Sequence, residues 1–116
     1  MTFGHQGAVH AVKFHPDGKQ LISCSDNGTA VLWDVERQSA LGSAMKHESA
    51  VKDASFSKDG SLIITACADG TARLWDTATK QAISLPFKHP GPAVMVQLSP
   101  DADRLLTLCE DGDVRI

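Results

Sequence analysis

Histidine, cysteine and aspartate are the residues of this 116-residue chain whose types could do chemistry. Five histidines and three cysteines are present, and with aspartate they supply the ligand atoms that zinc prefers. His5, His47 and His89, however, lie 42 residues apart. Side chains that recur once per unit occupy equivalent places in different units, too far apart for one ion held at about 2.0–2.3 Å. The spacing therefore predicts no metal site, and nothing in the sequence indicates a cofactor.

A serine, histidine and aspartate set can also be chosen, for example Ser23, His5 and Asp26. Ser23 aligns with Thr65 and Thr107 at the same 42-residue spacing. Its type therefore follows the repeat and does not mark a unique nucleophile. An active site needs one reactive residue with a positioned base, and such a residue would break the repeat in one unit. We expect no catalytic residue and no enzyme activity within this chain.

Composition and charge limit the compartment and the partners. Cys24, Cys67 and Cys109 form an odd set without C-x-x-C spacing, which is typical of free thiols in a reducing compartment. The first residues do not resemble a signal peptide, and no apolar run is long enough to span a bilayer. We therefore expect a cytoplasmic protein. The formal net charge is -3 and basic runs are absent, so we expect neither a nucleic-acid nor a membrane partner.

The 42-residue spacing runs along the whole chain. Residues 5–34 align with residues 47–76 without a gap and share nearly half of their residue types. A fixed period of about 40–45 residues indicates an array of structural repeats. We expect one domain, 1–116, made of a first repeat at about 5–46, a second at about 47–88 and an incomplete third at about 89–116.

Each unit has the pattern of short strands. In the second unit, apolar segments at 51–56, 62–67 and 72–75 are separated by sequences that end in Asp59-Gly60 and Asp69-Gly70. Asp-Gly between apolar runs is a hairpin signal, because the turn needs positive φ. Turns every eight to twelve residues or so leave no room for the paired helices of a helical solenoid. The first unit predicts strands at 9–14, 21–25 and 30–33, and a fourth strand is expected near 39–44 and 81–85.

The predicted strands are apolar on both faces, as in Leu62-Ile63-Ile64. Such sheets need a neighbour on each side, which radial stacking of four-stranded blades supplies. Closed propellers contain about four to eight blades, and this chain has about three repeats. The predicted fold is therefore all-β, with antiparallel four-stranded blades in an open arc or a fragment of a β-propeller.

The order of motifs in each unit resembles that of WD40 repeats, and the resemblance covers essentially the whole chain. The second unit has His47, a Phe56-Ser57-Lys58-Asp59-Gly60 turn, Thr65, Asp69-Gly70-Thr71 and a closing Trp75-Asp76. The first unit closes on Trp33-Asp34 in the same register. The style is similar to that of bacterial WD40 arrays, some of which are joined to Ser/Thr kinases. The resemblance implies WD40 blades that act as a scaffold for protein partners.

The resemblance also implies structural tetrads, in which His, Ser or Thr, Asp and Trp hydrogen-bond within one blade. Asn27 stands in place of the family's aspartate, so the charge-assisted bond to His5 is lost and that network is expected to be weaker. In the third unit His89 is followed by Pro90, which lacks a backbone donor. The implied tetrad residues are His5, Ser23, Asn27 and Trp33, then His47, Thr65, Asp69 and Trp75, then His89, Thr107 and Asp111.

A partner-facing top surface is implied at the start of the innermost strand and just before the tetrad aspartate. These positions differ between units while the framework repeats, as expected if recognition and framework fall on different residues. His10 has no histidine counterpart, and histidine is the residue type whose charge can change near neutral pH. It is therefore either a pH-dependent contact or an ordinary surface histidine. The candidate positions are Ala8, His10, Asp26, Ala50, Lys52, Ala68, Pro92, Val94 and Glu110.

We therefore expect a non-catalytic protein–protein interaction scaffold that is a fragment of a larger propeller. One alternative is a regulatory WD40 array of a bacterial Ser/Thr kinase, or of another signalling enzyme, whose catalytic part lies outside this chain. The chain itself has neither a Gly-rich phosphate loop nor a His-Arg-Asp sequence. The other alternative is a self-assembling structural ring, in which two copies supply six blades, because an open arc exposes an apolar blade face at each end.

Overall fold

A computed structural model describes residues 7–42, 44–83, 87–88, 92–98, 105–109 and 114–115. Every regular element in these segments is a β-strand, and every strand pairing is antiparallel. The strands form three separate sheets that follow one another along the chain. Each sheet corresponds to one predicted blade.

The first blade has the strand order β1-β2-β3-β4, and β5 also pairs with β3. Two strands of two residues each therefore share the outer edge of this sheet. The bounds are β1 (Val9–Phe14), β2 (Gln20–Ser25), β3 (Thr29–Asp34), β4 (Ser39–Ala40) and β5 (Met45–Lys46).

The second blade has the order β6-β7-β8-β9, and the third has β10-β11-β12. In the second blade an isolated bridge from Ala82 to Trp75 takes the place of β4. The bounds are β6 (Val51–Phe56), β7 (Leu62–Cys67), β8 (Thr71–Asp76), β9 (Phe87–Lys88), β10 (Ala93–Leu98), β11 (Leu105–Cys109) and β12 (Val114–Arg115).

Glycines set the tight turns that end the middle strands. Gly28 follows β2 with φ 84° and Gly70 follows β7 with φ 90°, a conformation that costs glycine little. A Cβ at Gly28 would also lie 2.9 Å from the carbonyl oxygen of His47, so the turn packs too closely for a side chain. These turns place β2 beside β3 and β7 beside β8, as the Asn-Gly and Asp-Gly signals predict.

The fourth strand differs from the prediction of one segment near 39–44. In the first blade it is split into β4 and β5. Gly42 lies between the two pieces with φ 74°, a conformation incompatible with an extended strand. In the second blade the corresponding contacts are the Ala82 bridge and β9. In the first and second blades, the outer edge is thus the least regular part of the sheet.

Stacking of the blades forms two cores. Ile22, Leu32 and Met45 of the first blade pack against Val51 and Ile63 of the second, and each is at most 2% exposed. On its other face the second blade packs Ile64, Ala66 and Ala72 against Val96 of the third. The adjacent residues Ile63 and Ile64 therefore serve opposite cores, which explains why the strands are apolar on both faces.

The architecture is an open stack. Contacts join the first blade to the second and the second to the third, and the described strands do not close into a ring. The predicted all-β fold of antiparallel four-stranded blades is thereby confirmed, with three strands seen in the third blade. Among the described segments, no helix has the length and apolar character needed to cross a membrane.

Candidate functional site

Thr65 is the hub of a buried hydrogen-bond network in the second blade. Its side chain is fully buried on β7. Trp75 Nε1 donates to Thr65 Oγ1 over 3.1 Å, and His47 Nε2 lies 2.8 Å from the same oxygen. Since His47 Nδ1 lies 3.2 Å from the carbonyl oxygen of Met45, which can only accept, Nδ1 carries the proton. His47 Nε2 therefore accepts the hydroxyl proton of Thr65, and all three polar groups are satisfied.

The surroundings of His47 keep its ring neutral. Burial is the main cause that lowers its pKa, to about 4, and repulsion from Arg73 adds to the effect. The charge of Asp69 acts in the opposite sense but is the smaller influence. The ring also packs against the Trp75 ring, with centroids 5.3 Å apart. His47 thus has the properties of a structural brace, since both ring nitrogens are engaged in hydrogen bonds and its lowered pKa makes the ring a poor base near pH 7.

Asp69 takes a different partner from the one that the tetrad implies. Its carboxylate accepts hydrogen bonds from the backbone N–H and the hydroxyl of Thr71. Burial opposes ionisation, but these bonds lower the pKa of Asp69 overall. Both bonds end on Oδ1, and within the described residues no hydrogen bond is seen between Asp69 and His47. The structure thus brings together His47, Thr65 and Trp75 and places Asp69 beside them as a turn cap.

The first blade repeats part of this arrangement. Trp33 Nε1 donates to Ser23 Oγ over 2.8 Å. The side-chain oxygen of Asn27 accepts from the backbone N–H of Thr29 over 3.1 Å and from its hydroxyl over 2.6 Å, as Asp69 does from Thr71. Of the other predicted tetrad residues, Thr107 lies on β11, whereas His5, His89 and Asp111 fall outside the described residues.

A β-bulge near the start of each innermost strand sets the predicted top surface. In β1 the pairing steps from Val9–Ser25 to Ala11–Cys24, so His10 is the extra residue. The same shift occurs in β6 and β10, where Lys52 and Val94 are the extra residues. A bulged residue leaves the regular ladder and its side chain is aimed differently from its neighbours. These three candidate positions thus share one backbone feature.

Three polar side chains form a cluster across the first two blades. His10 Nε2 hydrogen-bonds to Asp26 Oδ1, and Lys52 Nζ lies 3.7 Å from the same oxygen. The hydrogen bond from His10 is the main cause that lowers the pKa of Asp26, and the charges of His10 and Lys52 lower it further. The backbone N–H of Asp26 also donates to Ala8 O over 2.9 Å, which fastens the turn to β1. We call His10, Asp26 and Lys52 the top-surface cluster.

The remaining candidate positions surround this cluster with small or apolar side chains. Ala8 is exposed, and Ala50, Ala68, Pro92 and Val94 are partly exposed. The backbone N–H of Ala68 donates to Ala50 O over 2.8 Å, so the second blade repeats the fastening of the turn without a charged group. Glu110 falls outside the described residues. Charge on the described top surface is therefore concentrated at the join between the first and second blades.

Sequence reasoning missed a buried carboxylate that links all three blades. Asp53 is 5% exposed. Its Oδ1 lies 3.4 Å from Lys13 Nζ of the first blade, and its Oδ2 accepts the backbone N–H of Val96 of the third over 3.1 Å. The signal in the sequence is that Asp53 stands where the other units have Ala11 and Met95. A lone charge at a position that is otherwise apolar marks such a link.

The sequence analysis also missed a contact between the first and second blades at the end opposite the top-surface cluster. The His15 ring meets the Phe56 ring edge-on, with centroids 4.9 Å apart, and His15 Nε2 lies 3.1 Å from Gly60 O. Since the carbonyl of Gly60 can only accept, Nε2 carries the proton of this bond. The backbone N–H and the carboxylate of Asp17 both lie close to His15 Nδ1. A Cβ on Gly60 would lie 2.1 Å from this ring. Glycine at this turn is thus needed for the blades to approach.

The remaining candidates for chemistry are side chains of the metal-ligand types and the thiols. Among the described residues, no group of three or more His, Cys, Asp or Glu side chains could hold a metal ion. Cys24 and Cys67 are buried free thiols. Burial raises the pKa of Cys24 to about 11 and raises that of Cys67, so both thiols are poor nucleophiles.

A family model described as "WD domain, G-beta repeat" matches residues 1–34 and 40–76. The chain is 47% identical over 36 residues to "WD40 repeat-containing protein HOS15" of Arabidopsis thaliana. It is 46% identical over 37 residues to "SAGA complex/transcription factor TFIID complex subunit Taf5" of Schizosaccharomyces pombe. These matches cover 31% and 32% of the chain and 6% of each relative, so the chain spans a small part of their length.

A solved structure resembles the whole described arrangement. It is the crystal structure of the computationally designed Ika4 protein, with a TM-score of 0.84 and 28% sequence identity. The similarity covers 97% of this chain and 66% of that one. The designed protein is a β-propeller, so the similarity supports the propeller-type stacking of the three blades.

Proposed function

Since this chain belongs to the WD40 repeat family, we propose that it is a non-catalytic scaffold that binds a protein partner through the top-surface cluster. WD40 repeats indicate a role in protein–protein interaction or as a scaffold. The proposal adds two points to this general role: that the top-surface cluster makes the contact, and that the chain does not catalyse a reaction. The observation that carries it is the set of bulges that place non-repeating side chains on a repeating framework.

The cluster has the properties of a recognition site. Its members are held by two neighbouring strands and a fastened turn, so little conformational entropy is lost when a partner binds. It offers charges of both signs, because the Asp26 carboxylate lies beside Lys52 and His10. Complementary charge on a partner would set its orientation and speed its association. The small side chains around the cluster leave space for a protein surface to approach.

The properties of the buried and partly buried framework residues support the proposed absence of catalysis. His47 is neutral and held between Thr65 and a backbone carbonyl, and the thiols of Cys24 and Cys67 are protonated near pH 7. A cytoplasmic location, no cofactor and no nucleic-acid or membrane partner belong to the same proposal. The regulatory array of a bacterial kinase or another signalling enzyme also stays a prediction.

A comparison of two triple variants tests the proposal. The first replaces His10, Asp26 and Lys52 with alanine. The matched control replaces Glu36, Arg37 and Lys58, three charged residues that are exposed in turns away from the cluster. Each tagged chain is used as bait in quantitative crosslinking mass spectrometry, and thermal melting is recorded to verify equal folding.

We expect the cluster variant to lose at least about tenfold in recovery of its partner, which corresponds to about 1.4 kcal/mol of binding free energy. We expect the control to change recovery by less than about twofold. Equal recovery by the cluster variant and the unmodified chain would overturn the assignment of the contact. Equal losses in both triple variants would show a nonspecific effect of charge and would also overturn it.

A further inference from the structure

One face of the first blade is apolar and uncovered. Val9, Val12 and Phe14 on β1 are 46%, 52% and 63% exposed. Their counterparts 42 residues later include Val51 and Ala54, which are 0% and 1% exposed. The difference arises because the first blade covers this face of the second. We call Val9, Val12 and Phe14 the outer face of the first blade.

The structure shows what kind of surface covers this face. On the second blade, the cover is the opposite side of the first blade, which presents Ile22, Cys24 and Leu32. By the 42-residue period, Leu106 and Leu108 of the third blade stand at the positions of Ile22 and Cys24. The chain therefore carries both an uncovered face and apolar residues of the type that covers it.

Met95 marks the matching side of the third blade. Its neighbour Val96 packs against the second blade, and alternation along a strand directs Met95 to the opposite face. Met95 is 56% exposed. Its counterpart in the second blade is Asp53, which contacts the third blade through the backbone N–H of Val96. The face that carries Met95 is thus the one that meets the next blade in order.

Polar groups are also compatible with a join between the third blade and the first. At the existing join Asp26 of one blade lies near Lys52 of the next. In the sequence, the 42-residue period aligns the acidic Glu110 with Asp26 and aligns His10 with Lys52. At the position of the buried Asp53 the third blade has Met95, so the join leaves no unpaired charge, which would be costly.

We propose that the outer face of the first blade binds a second copy of this chain, whose third blade packs against it as the first blade packs against the second. The contact is made twice, because the third blade of each copy packs against the first blade of the other. Two copies thereby close six blades into a ring. Closure covers both exposed blade faces and removes large apolar patches from water. This proposal is independent of the top-surface cluster as a binding site.

The oligomeric state of the 116-residue chain and of three variants tests the contact. Sedimentation velocity and light scattering should give a discrete species of about twice the chain mass of 12.4 kDa. Val12→Glu and Met95→Glu each place a charge on one side of the join, and we expect each to weaken dimer formation at least tenfold. Ile83→Glu is the matched control, because Ile83 is 49% exposed but lies on the segment after β8, away from the outer face of the first blade. It should leave the dimer intact.

Mixing the two interface variants gives the sharpest result. The Val12→Glu chain keeps its third blade unchanged and the Met95→Glu chain keeps its first, so an equimolar mixture should form a one-to-one pair through a single join. Circular dichroism verifies that each variant keeps its sheet content, and Val9→Lys serves as a second variant of the outer face if Val12→Glu unfolds.

Four outcomes for the chains measured separately would overturn the proposal. They are a single-chain species for the unmodified protein, a polydisperse aggregate, a dimer that persists in Val12→Glu, and a dimer that Val12→Glu abolishes while Met95→Glu does not. The last would show two first blades packed face to face. Failure of the mixture to pair would contradict the head-to-tail geometry in the same way.

Discussion

Replacement of His47 by alanine should destabilise the chain by an amount that depends on pH. His47 accepts the Thr65 hydroxyl proton and donates to the carbonyl oxygen of Met45. Without the ring, the fully buried Thr65 hydroxyl loses its acceptor, which costs about 1–3 kcal/mol. Loss of the packing against Trp75 adds about 0.5–1.5 kcal/mol. The free energy of unfolding near pH 7.5 should therefore fall by about 2–4 kcal/mol, or roughly 8–16 °C in Tm.

The pH dependence follows from the pKa of His47. Burial holds it at about 4 in the folded chain, below its ordinary value of 6.5. Between these values the unfolded chain binds more protons than the folded one, so stability rises with pH over this window and is level above it. The full interval corresponds to about 3 kcal/mol. The alanine variant lacks this contribution, so the difference between the two proteins should shrink towards zero as pH falls from 7 to 4.

Urea unfolding of both proteins at several pH values, followed by tryptophan fluorescence, measures this difference. Thr65→Val provides the second arm of a double-mutant cycle, and we expect a coupling of about 1 kcal/mol between the two positions. If the difference in unfolding free energy between the two proteins stays constant from pH 7.5 to 4, the assignment of a neutral His47 ring in the folded chain is refuted. Additive effects of the two substitutions would refute the hydrogen bond between them.

Three further predictions concern the turns and the thiols. Asn27→Asp should raise the free energy of unfolding in urea by a few tenths to about 1 kcal/mol. The N–H and hydroxyl of Thr29, which now donate to the Asn27 side chain, would then donate to a carboxylate; destabilisation would contradict this. Gly60→Ala should lower Tm more than Gly18→Ala, since both have positive φ but only Gly60 faces the His15 ring; equal effects would show that the ring contact is unimportant. In a variant without Cys109, both remaining thiols, Cys24 and Cys67, should react with a thiol reagent at pH 8 only as fast as the chain unfolds; rapid reaction of either thiol in the folded state would contradict its burial.

The inner strands could be predicted from sequence because two local signals agree there. β6 and β7 begin and end at the predicted residues, since apolar runs are bounded by turns that need glycine. The fourth strand could not be predicted with the same accuracy. Its pieces are two residues long and are interrupted near Gly42, and so short an edge strand carries little periodicity.

The hydrogen-bond partners of the site residues were harder to predict than the places of these residues in the fold. The repeat places Asp69 near His47, but it cannot tell which donor the carboxylate takes, and the two donors of Thr71 are closer along the chain. Similarly, the period aligns His10 with Lys52 but does not show that both contact Asp26. That contact depends on β-bulges, which the residue types do not predict. Links between blades depend on three-dimensional packing that a repeat alone does not define.

A pH titration of the histidine side chains by ¹H–¹⁵N NMR, with and without added zinc, tests most directly whether the repeated residues brace separate blades. We expect that His47 is neutral near pH 7 with its proton on Nδ1, that it gains charge only with a midpoint at a pKa of about 4, and that zinc leaves its signals unchanged. Titration of His47 near pH 6.5, or a joint shift of the signals of His5, His47 and His89 when zinc is added, would contradict it.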